Sequence, residues 1–114
     1  MKKLRFDLEV QTYQIDFVHH LSNIVYIEWM EIGRTKLLQA IGMPPENLQK
    51  EDTFPVLVHT EIFYKQPIYY GDKVWGEIWI SKMGAASAIM DFAFYKNDGV
   101  LCASGNQKGL FISG

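Results

Sequence analysis

Residues 12–34 of the chain read TYQIDFVHHLSNIVYIEWMEIGR, and they join a predicted strand to a predicted helix. The strand ends in a lone carboxylate, Asp16, and a polar turn with two histidines and Asn23 follows before the helix opens. The first turn of a helix carries N–H groups without partners and a partial positive charge. These groups can polarise a carbonyl on which a carboxylate acts, as a nucleophile or through a water. The pattern therefore indicates an acyl-transfer site.

The helix is predicted over residues 23–41, because apolar positions recur there at steps of three and four residues. This stripe consists of Tyr26, Met30, Gly33, Leu37 and Ile41. Gly42 suits the helix end, and the two prolines at 44–45 prevent its continuation. Glycine inside a helix costs on the order of 1 kcal/mol relative to alanine. We therefore expect the helix to approach a sheet closely at Gly33.

Five strands are predicted around this helix. Apolar and polar residues alternate over residues 4–15, and four strand-like runs follow a polar connector at 43–53; these runs cover residues 54–65, 73–82, 85–95 and 101–112. Asn97-Asp98-Gly99 is a hairpin turn signal between the last two. Sequential strands favour an antiparallel sheet. The sequence predicts an α+β fold, one domain over residues 1–114, in which about five strands wrap one long central helix.

Composition narrows the possible functions. The net charge of −2 argues against nucleic-acid binding by charge. No apolar run approaches the roughly 20 residues of a membrane span, and the basic N-terminus lacks the apolar core of a signal peptide. We expect a soluble, cytoplasmic protein. Cys102 is the single cysteine, so an inert buried thiol is expected and an intrachain disulfide is excluded.

Two motifs give the chain a family resemblance. The pattern Asp16-x3-His20-x2-Asn23-x2-Tyr26-x4-Glu31-x2-Arg34 resembles hotdog-fold acyl-CoA thioesterases of the 4-hydroxybenzoyl-CoA thioesterase-like group, and it is similar to acyl-acyl-carrier-protein thioesterases of the same fold. A second landmark of the family is matched by Phe63-Tyr64-x2-Pro67-x3-Gly71-Asp72. The resemblance implies the hotdog fold, a homodimer or homotetramer, and active sites at the subunit interface. One departure is His19, where the family often has glycine.

The resemblance places the catalytic carboxylate on Asp16 and the carbonyl-polarising amide near Asn23. We expect Asp16 to attack the thioester carbonyl or to activate a water, and the sequence leaves both routes open. The alternative role of Asp16 is structural, as a turn residue. The backbone amides of Asn23 and Ile24 are the expected oxyanion donors, because Asn23 or Ser22 can cap the helix and order its first turn.

Supporting roles are expected for three residues of the motif. His20 would brace the turn by hydrogen bonding, with a general-base role as the alternative. Tyr26 would support the site as a core residue. Glu31 can pair with Arg34 three residues on; we expect it to tie the helix to a neighbouring subunit, with catalytic use as the alternative.

Weaker expectations concern the substrate. His59 is a candidate lining residue of the substrate pocket, and Lys65 is a candidate partner of the coenzyme A phosphates. A zinc site needs three or four ligands, and the histidines lie in two distant segments. We therefore expect no metal, and no cofactor beyond the coenzyme A of the substrate.

The sequence thus predicts a hydrolase that cleaves an acyl-CoA or acyl-carrier-protein thioester to acid and thiol. Three alternatives stay open: a hotdog protein that binds acyl thioesters without cleaving them, a dehydratase that uses His19, His20 or His59 with a carboxylate of a second chain, and a protein whose aromatic strands serve only as an interface.

Overall fold

The computed structural model describes residues 2–43 and 53–113. Its elements are β1 (Leu4–Leu8), a 3-10 helix (Thr12–Gln14), α1 (Asn23–Ala40), β2 (Thr53–Tyr64), β3 (Val74–Met83), β4 (Ser87–Lys96) and β5 (Val100–Ser113). The predicted helix and the four later strands are confirmed to within two residues at each end. The two prolines and most of the connector at 43–53 lie outside the described residues.

The expected first strand over 4–15 is too long. It ends at Leu8, and the chain turns into the 3-10 helix instead. Two glutamines cause this turn: the backbone N–H of Gln11 donates to the Gln14 side chain (2.8 Å), and the backbone N–H of Gln14 donates to the Gln11 carbonyl (3.0 Å). Local side-chain bonds of this kind compete with strand pairing.

The five strands form one antiparallel sheet in the order β1-β3-β4-β5-β2. The long strand β2 therefore pairs on one side only, with β5, and it forms an edge of the sheet. The Asn97–Gly99 turn between β4 and β5 has positive φ at Asn97 (53°) and Gly99 (107°), as a tight hairpin requires.

Helix α1 packs against β1 and β3, and its buried side contains four of the five stripe residues together with Val25 and Trp29, which the stripe did not include. Phe6 lies where helix and sheet meet: a Cβ added at Gly33 would come within 2.7 Å of the Phe6 ring, and one at Gly76 within 2.4 Å. Gly33 therefore allows the close approach that the sequence predicted. The expectation was wrong for Ile41, which is half exposed because the helix ends at Ala40 and the stripe ends with it.

Aromatic rings fill the core between helix and sheet. Tyr26 and Trp29 from the helix meet Phe94 from β4, with ring centroids about 6 Å apart at tilted or edge-on angles. All three side chains are at most 3% exposed. The space beneath the N-terminal half of the helix is therefore closed by packed rings.

In the part of the chain that the structure describes, no helix is long and apolar enough to cross a membrane.

Candidate active site

A tight turn connects Ile15 to the helix and holds Asp16. Ile15 and Leu21 form an antiparallel bridge, and the backbone N–H of Asp16 donates to the His20 carbonyl (2.8 Å). His19 closes the turn in the left-handed region, with φ of 69°. This conformation is unfavourable for a side chain with a Cβ. Glycine, which lacks a Cβ, would adopt it without this cost.

The Asp16 carboxylate shapes this turn. Its Oδ1 atom accepts hydrogen bonds from the backbone N–H groups of Val18 (3.0 Å) and His20 (3.1 Å). Its Oδ2 atom has no hydrogen-bond partner within residues 2–43 and 53–113. The structural role that the sequence left open is therefore real. It occupies one carboxylate oxygen and leaves the other for chemistry.

The helix N-terminus adjoins the turn with free donors. Ser22 is the N-cap, with extended φ and ψ of −64° and 140°, and the backbone N–H of Val25 donates to its carbonyl (3.0 Å). The Ser22 side chain makes no capping hydrogen bond. Among the described residues, the amides of Asn23 and Ile24 donate to no acceptor outside the helix. The side-chain capping bond that was expected to order the first turn of the helix is absent, and the two amides can donate hydrogen bonds to a ligand.

The segment 65–72 approaches the turn from the opposite side. The backbone N–H groups of Lys65 and Gln66 both donate to the Cys102 carbonyl (2.8 and 3.1 Å), and the N–H of Leu21 donates to the Ile68 carbonyl (2.8 Å). These bonds fix the segment to β5 and to the residue before the N-cap.

Asp72 ends this segment in a polar cluster. Its carboxylate accepts hydrogen bonds from the Tyr69 backbone N–H (2.9 Å) and the Asn97 side chain (3.2 Å), and it lies 3.7 Å from the Lys96 ammonium. Burial alone would raise the pKa of Asp72, but these hydrogen bonds and the Lys96 charge hold it below its ordinary value. Asp72 is therefore ionised at neutral pH.

Turn, helix and segment enclose an open depression of about 370 Å³. It brings together five of the residues that the sequence selected: Asp16, His20, Asn23, Tyr26 and Lys65. It also contains four that the sequence analysis did not select as site residues: Leu21, Tyr64, Gln66 and Pro67. Tyr64 and Pro67 belong to the second motif, so its match to the family's landmark was the signal that could have identified them.

Tyr26 forms the floor of this depression. Its ring is 3% exposed and packs edge-on against Tyr64, at 5.3 Å between centroids. Burial raises the pKa of Tyr26, and the nearby Cys102 and Tyr64 raise it further. The phenol therefore stays neutral, and Tyr26 supports the site by packing, as expected.

Three expected residues do not line the depression. Ile24 follows Asn23 in the first turn of the helix, and its side chain is exposed. Glu31 is exposed and forms an ion pair with Arg34, one turn beyond the residues that border the depression. His59 is exposed on β2 next to a bulge in the β2–β5 pairing. None of the three lines this depression in a single chain. The Glu31–Arg34 pair itself is as predicted.

Metal ligands do not cluster in the part of the chain that the structure describes: residues 2–43 and 53–113 contain no group of three or more His, Cys, Asp or Glu side chains that could hold an ion. The absence of a metal and of a cofactor stays an expectation.

Cys102 is fully buried, and burial raises the pKa of its thiol. The thiol is therefore a poor nucleophile, as predicted.

A second cavity, of about 390 Å³, lies at the C-terminal end of the helix. It is bordered mainly by apolar side chains of the helix and all four later strands, among them Leu37, Val56, Ile80, Met90 and Leu110. Arg34 lies at its edge and donates to the buried Gln107 side chain (2.7 Å). The depression around Asp16 shares no lining residue with this cavity.

Solved structures share this architecture. A DHNA-CoA thioesterase from Staphylococcus aureus superposes with a TM-score of 0.93 at 18% identity, over 99% of this chain and 76% of the other. A thioesterase from Thermus thermophilus, solved with coenzyme A and Zn, gives 0.83 at 26% identity, over 96% and 79%. The fold is therefore the expected hotdog fold.

Sequence comparison agrees. A Bacillus subtilis (strain 168) protein, YneP, provisionally named an acyl-CoA thioesterase, is 29% identical over 102 residues, which are 90% of this chain and 72% of the other. The sequence model of the thioesterase-like superfamily matches residues 10–114. Because that match includes the turn, the helix and all four later strands, the chain belongs to the thioesterase-like superfamily.

Proposed function

We propose that the protein hydrolyses an acyl-CoA thioester to a free acid and a thiol. One observation carries this proposal: the Asp16 carboxylate and the Asn23 end of the helix border the same depression, and each keeps hydrogen-bonding capacity that the fold does not use. Membership of the superfamily and the similarity to YneP support the same activity.

The chemistry follows from these groups. The thioester carbonyl oxygen would accept hydrogen bonds from the amides of Asn23 and Ile24, which stabilise the negative charge that develops on it. The helix dipole adds to that stabilisation. Attack at the carbonyl carbon then breaks the C–S bond, and the thiolate leaves and takes up a proton.

Asp16 supplies or activates the attacking oxygen. Oδ2 either attacks the carbonyl directly, forming an anhydride that water later opens, or removes a proton from the water that attacks. A single turnover in ¹⁸O-labelled water tests the nucleophilic route. Label in the Asp16 side chain, detected by mass spectrometry of the digested protein, would establish the anhydride, because only water attack on its aspartyl carbonyl places label there. Label in the acid product alone is expected from the base route and from water attack on the acyl carbonyl of the anhydride.

Acyl-carrier-protein thioesters are the other candidate substrates. Lys65 lines the depression and is exposed, so its ammonium can meet the phosphates of coenzyme A or of a phosphopantetheine arm. Comparing kcat/KM for one acyl group on the two carriers decides between them.

A second copy of the chain would complete the site. The edge strand β2 exposes Val56, Leu57, Val58, Phe63 and Tyr64, and the turn beside Asp16 exposes Phe17 almost fully. An unpaired apolar edge of this length favours pairing with another strand. We therefore expect a homodimer or homotetramer with active sites at the subunit interface. Sedimentation equilibrium measures its size, and a monomer at micromolar concentration would contradict it.

The second candidate function is binding of an acyl thioester without cleavage. The hydrogen bonds from Val18 and His20 give Asp16 a purely structural use, which a binding protein would also need.

Thiol release tests both candidates, with a chromogenic thiol reagent and a panel of aliphatic and aromatic acyl-CoA and acyl-carrier-protein thioesters. Asp16→Asn is the informative variant, because the amide oxygen can still accept the two backbone hydrogen bonds while the charge is lost. We expect kcat to fall by roughly 10²- to 10⁴-fold, the usual contribution of such a group. Asp7→Asn, an exposed carboxylate on β1, is the matched control. Equal turnover by wild type and Asp16→Asn would refute the catalytic role.

A further inference from the structure

The 65–72 segment forms one wall of the depression but belongs to no helix or strand. Three of its residues line the depression: Lys65, Gln66 and Pro67. A wall without regular secondary structure needs other bonds to keep its shape. The hydrogen bonds to Cys102 fix its first two residues, and the Ile68 carbonyl is fixed by Leu21.

Lys96, the last residue of β4, fixes the part of the wall between these bonds. Its ammonium donates to the Pro67 carbonyl at 2.7 Å and lies 3.7 Å from the Asp72 carboxylate. The side chains of Lys96 and Asp72 are only 14% and 18% exposed. Hydrogen bonds from a charged donor are stronger than neutral ones, and water screens this one little. Lys96 therefore connects the site wall rigidly to the sheet.

A line of contacts also leads from Lys96 to the carboxylate. Its ammonium lies 5.0 Å from the centre of the Tyr69 ring, and Tyr69 packs edge-on against the His20 ring at 5.3 Å. The backbone N–H of His20 in turn donates to Asp16 Oδ1. The largely buried ammonium of Lys96 thus contacts both the wall that borders the depression and the Tyr69 ring, which packs against His20.

We propose that Lys96 is a positioning residue of this site: its ammonium holds the Pro67 end of the wall where Lys65, Gln66 and Pro67 contact the bound thioester. Lys96 itself touches no reacting atom, because the 65–72 segment lies between it and the depression. This inference rests on the thioesterase activity proposed above.

Lys96→Met is the test, because methionine keeps most of the aliphatic length and removes the charge. We expect KM for the best acyl-CoA substrate to rise roughly tenfold while kcat stays within about twofold, because the wall binds substrate and Asp16 and the helix amides lie on other elements. A merely structural role predicts the reverse: a smaller folded fraction lowers kcat per total protein and leaves KM unchanged.

Two further variants complete the comparison. Lys96→Arg keeps a cation and donors, and we expect it to restore KM to within about threefold of wild type. Lys36→Met makes the same chemical change on an exposed helix residue, and we expect it to leave both constants unchanged. An unchanged KM in folded Lys96→Met protein, or an equal rise in Lys36→Met, would overturn the proposal.

Removing one member of a buried ion pair can prevent folding. If Lys96→Met is unfolded, Lys96→Met combined with Asp72→Asn leaves no unpaired charge and is measured instead. If the wild-type protein releases no thiol, the proposed activity fails, but the positioning role is still measured as the dissociation constant for an acyl-CoA by calorimetry. A roughly tenfold weaker constant in the Lys96 variant supports it, and an unchanged constant refutes it.

Discussion

The two ends of helix α1 enclose spaces of nearly equal volume and opposite character. The C-terminal cavity, about 390 Å³, is lined mainly by apolar side chains such as Leu37, Ile80 and Met90. The N-terminal depression, about 370 Å³, is more open and has a carboxylate, a lysine and the start of the helix at its border. Large apolar pockets are the usual first choice for a ligand site. In this protein we propose the reacting centre at the other end.

We base this proposal on unused hydrogen-bonding capacity, and not on the volume of the two spaces. At the C-terminal end, the charged and amide side chains pair with one another: Arg34 with Glu31 and Gln107, while Gln107 also donates to Thr60. At the N-terminal end, one oxygen of Asp16 and two backbone amides remain free within the described residues. A substrate can use only the groups that the fold leaves free.

After Asp16→Asn, the largest expected effect comes from removing one backbone donor at the N-terminal end of the helix. Asn23→Pro deletes the N–H at the first helical position, where proline fits a helix well. Ser22 already has the extended φ and ψ that a residue before proline prefers. We expect kcat to fall by roughly 10²- to 10³-fold, as for other lost oxyanion donors, with little change in stability. Thiol release and thermal unfolding measure the two effects.

The control for this variant is Asn23→Ala, which removes the side chain and keeps the amide. It should retain kcat within a few-fold. If Asn23→Ala loses as much activity as Asn23→Pro, then the asparagine side chain, and not the backbone amide, is the functional group at this end.

A stability effect is expected at the middle of the helix, between the two ends. Gly33→Ala should destabilise the protein by up to about 2 kcal/mol, because the new methyl group would lie 2.7 Å from the Phe6 ring and overpacking of this kind costs about 1–3 kcal/mol. This penalty outweighs the roughly 1 kcal/mol that alanine gains in helix propensity. Urea unfolding measures it, and Phe6→Leu in the same protein should recover part of the loss. A stabilised Gly33→Ala variant would mean that the helix does not rest on Phe6.

A smaller effect is expected at the turn beside Asp16. His19→Gly should raise the free energy of unfolding by about 0.5–1 kcal/mol. Glycine removes the steric cost of a Cβ at φ of 69°. Part of this gain in stability is lost, because glycine also raises the conformational entropy of the unfolded chain. Chemical unfolding of the two proteins side by side gives the value. A destabilised variant would show that the His19 side chain makes a favourable contact outside a single chain.

The smallest effect is expected from filling the C-terminal cavity. Ala88→Leu places a larger side chain where buried Ala88 lines that space. We expect kcat and KM to stay within about twofold of wild type across the acyl-CoA panel, since the packed rings of Tyr26, Trp29 and Phe94 separate this cavity from the depression. A KM that rises with acyl length would show that the chain of the substrate reaches this cavity.

Much of the fold could be read from the sequence, because periodicity records which face of an element is buried. The four later strands and helix α1 were predicted nearly to the residue. The errors lie where a local bond competes with that pattern. Residues 9–15 alternate like a strand, but the Gln11–Gln14 bonds turn the backbone there.

The site was predicted less completely, for a physical reason. Asp16, His20, Asn23 and Tyr26 are near one another in sequence, and a single motif contains them all. Tyr64, Gln66 and Pro67 reach the site only through long-range backbone bonds, which leave no periodic trace. Glu31 belongs to the same motif, but a residue two turns further along the helix cannot face the depression at its N-terminus.

The strand order has a consequence for how the chain folds during synthesis. Strand β2 pairs with β5 alone, and β5 lies between β2 and β4. When residues 2–96 have been synthesised, β2 is complete, but β5, its only neighbour in the sheet of a single chain, has not yet been made. Strand β1 likewise has no partner until β3, which begins at Val74, has been synthesised. Strands β1, β3 and β4 can pair before β5 exists, whereas β2 can join the sheet only after β5 is made. A nascent chain that stops before β5 should expose the apolar side chains of β2, and a chaperone that binds such segments should recognise it.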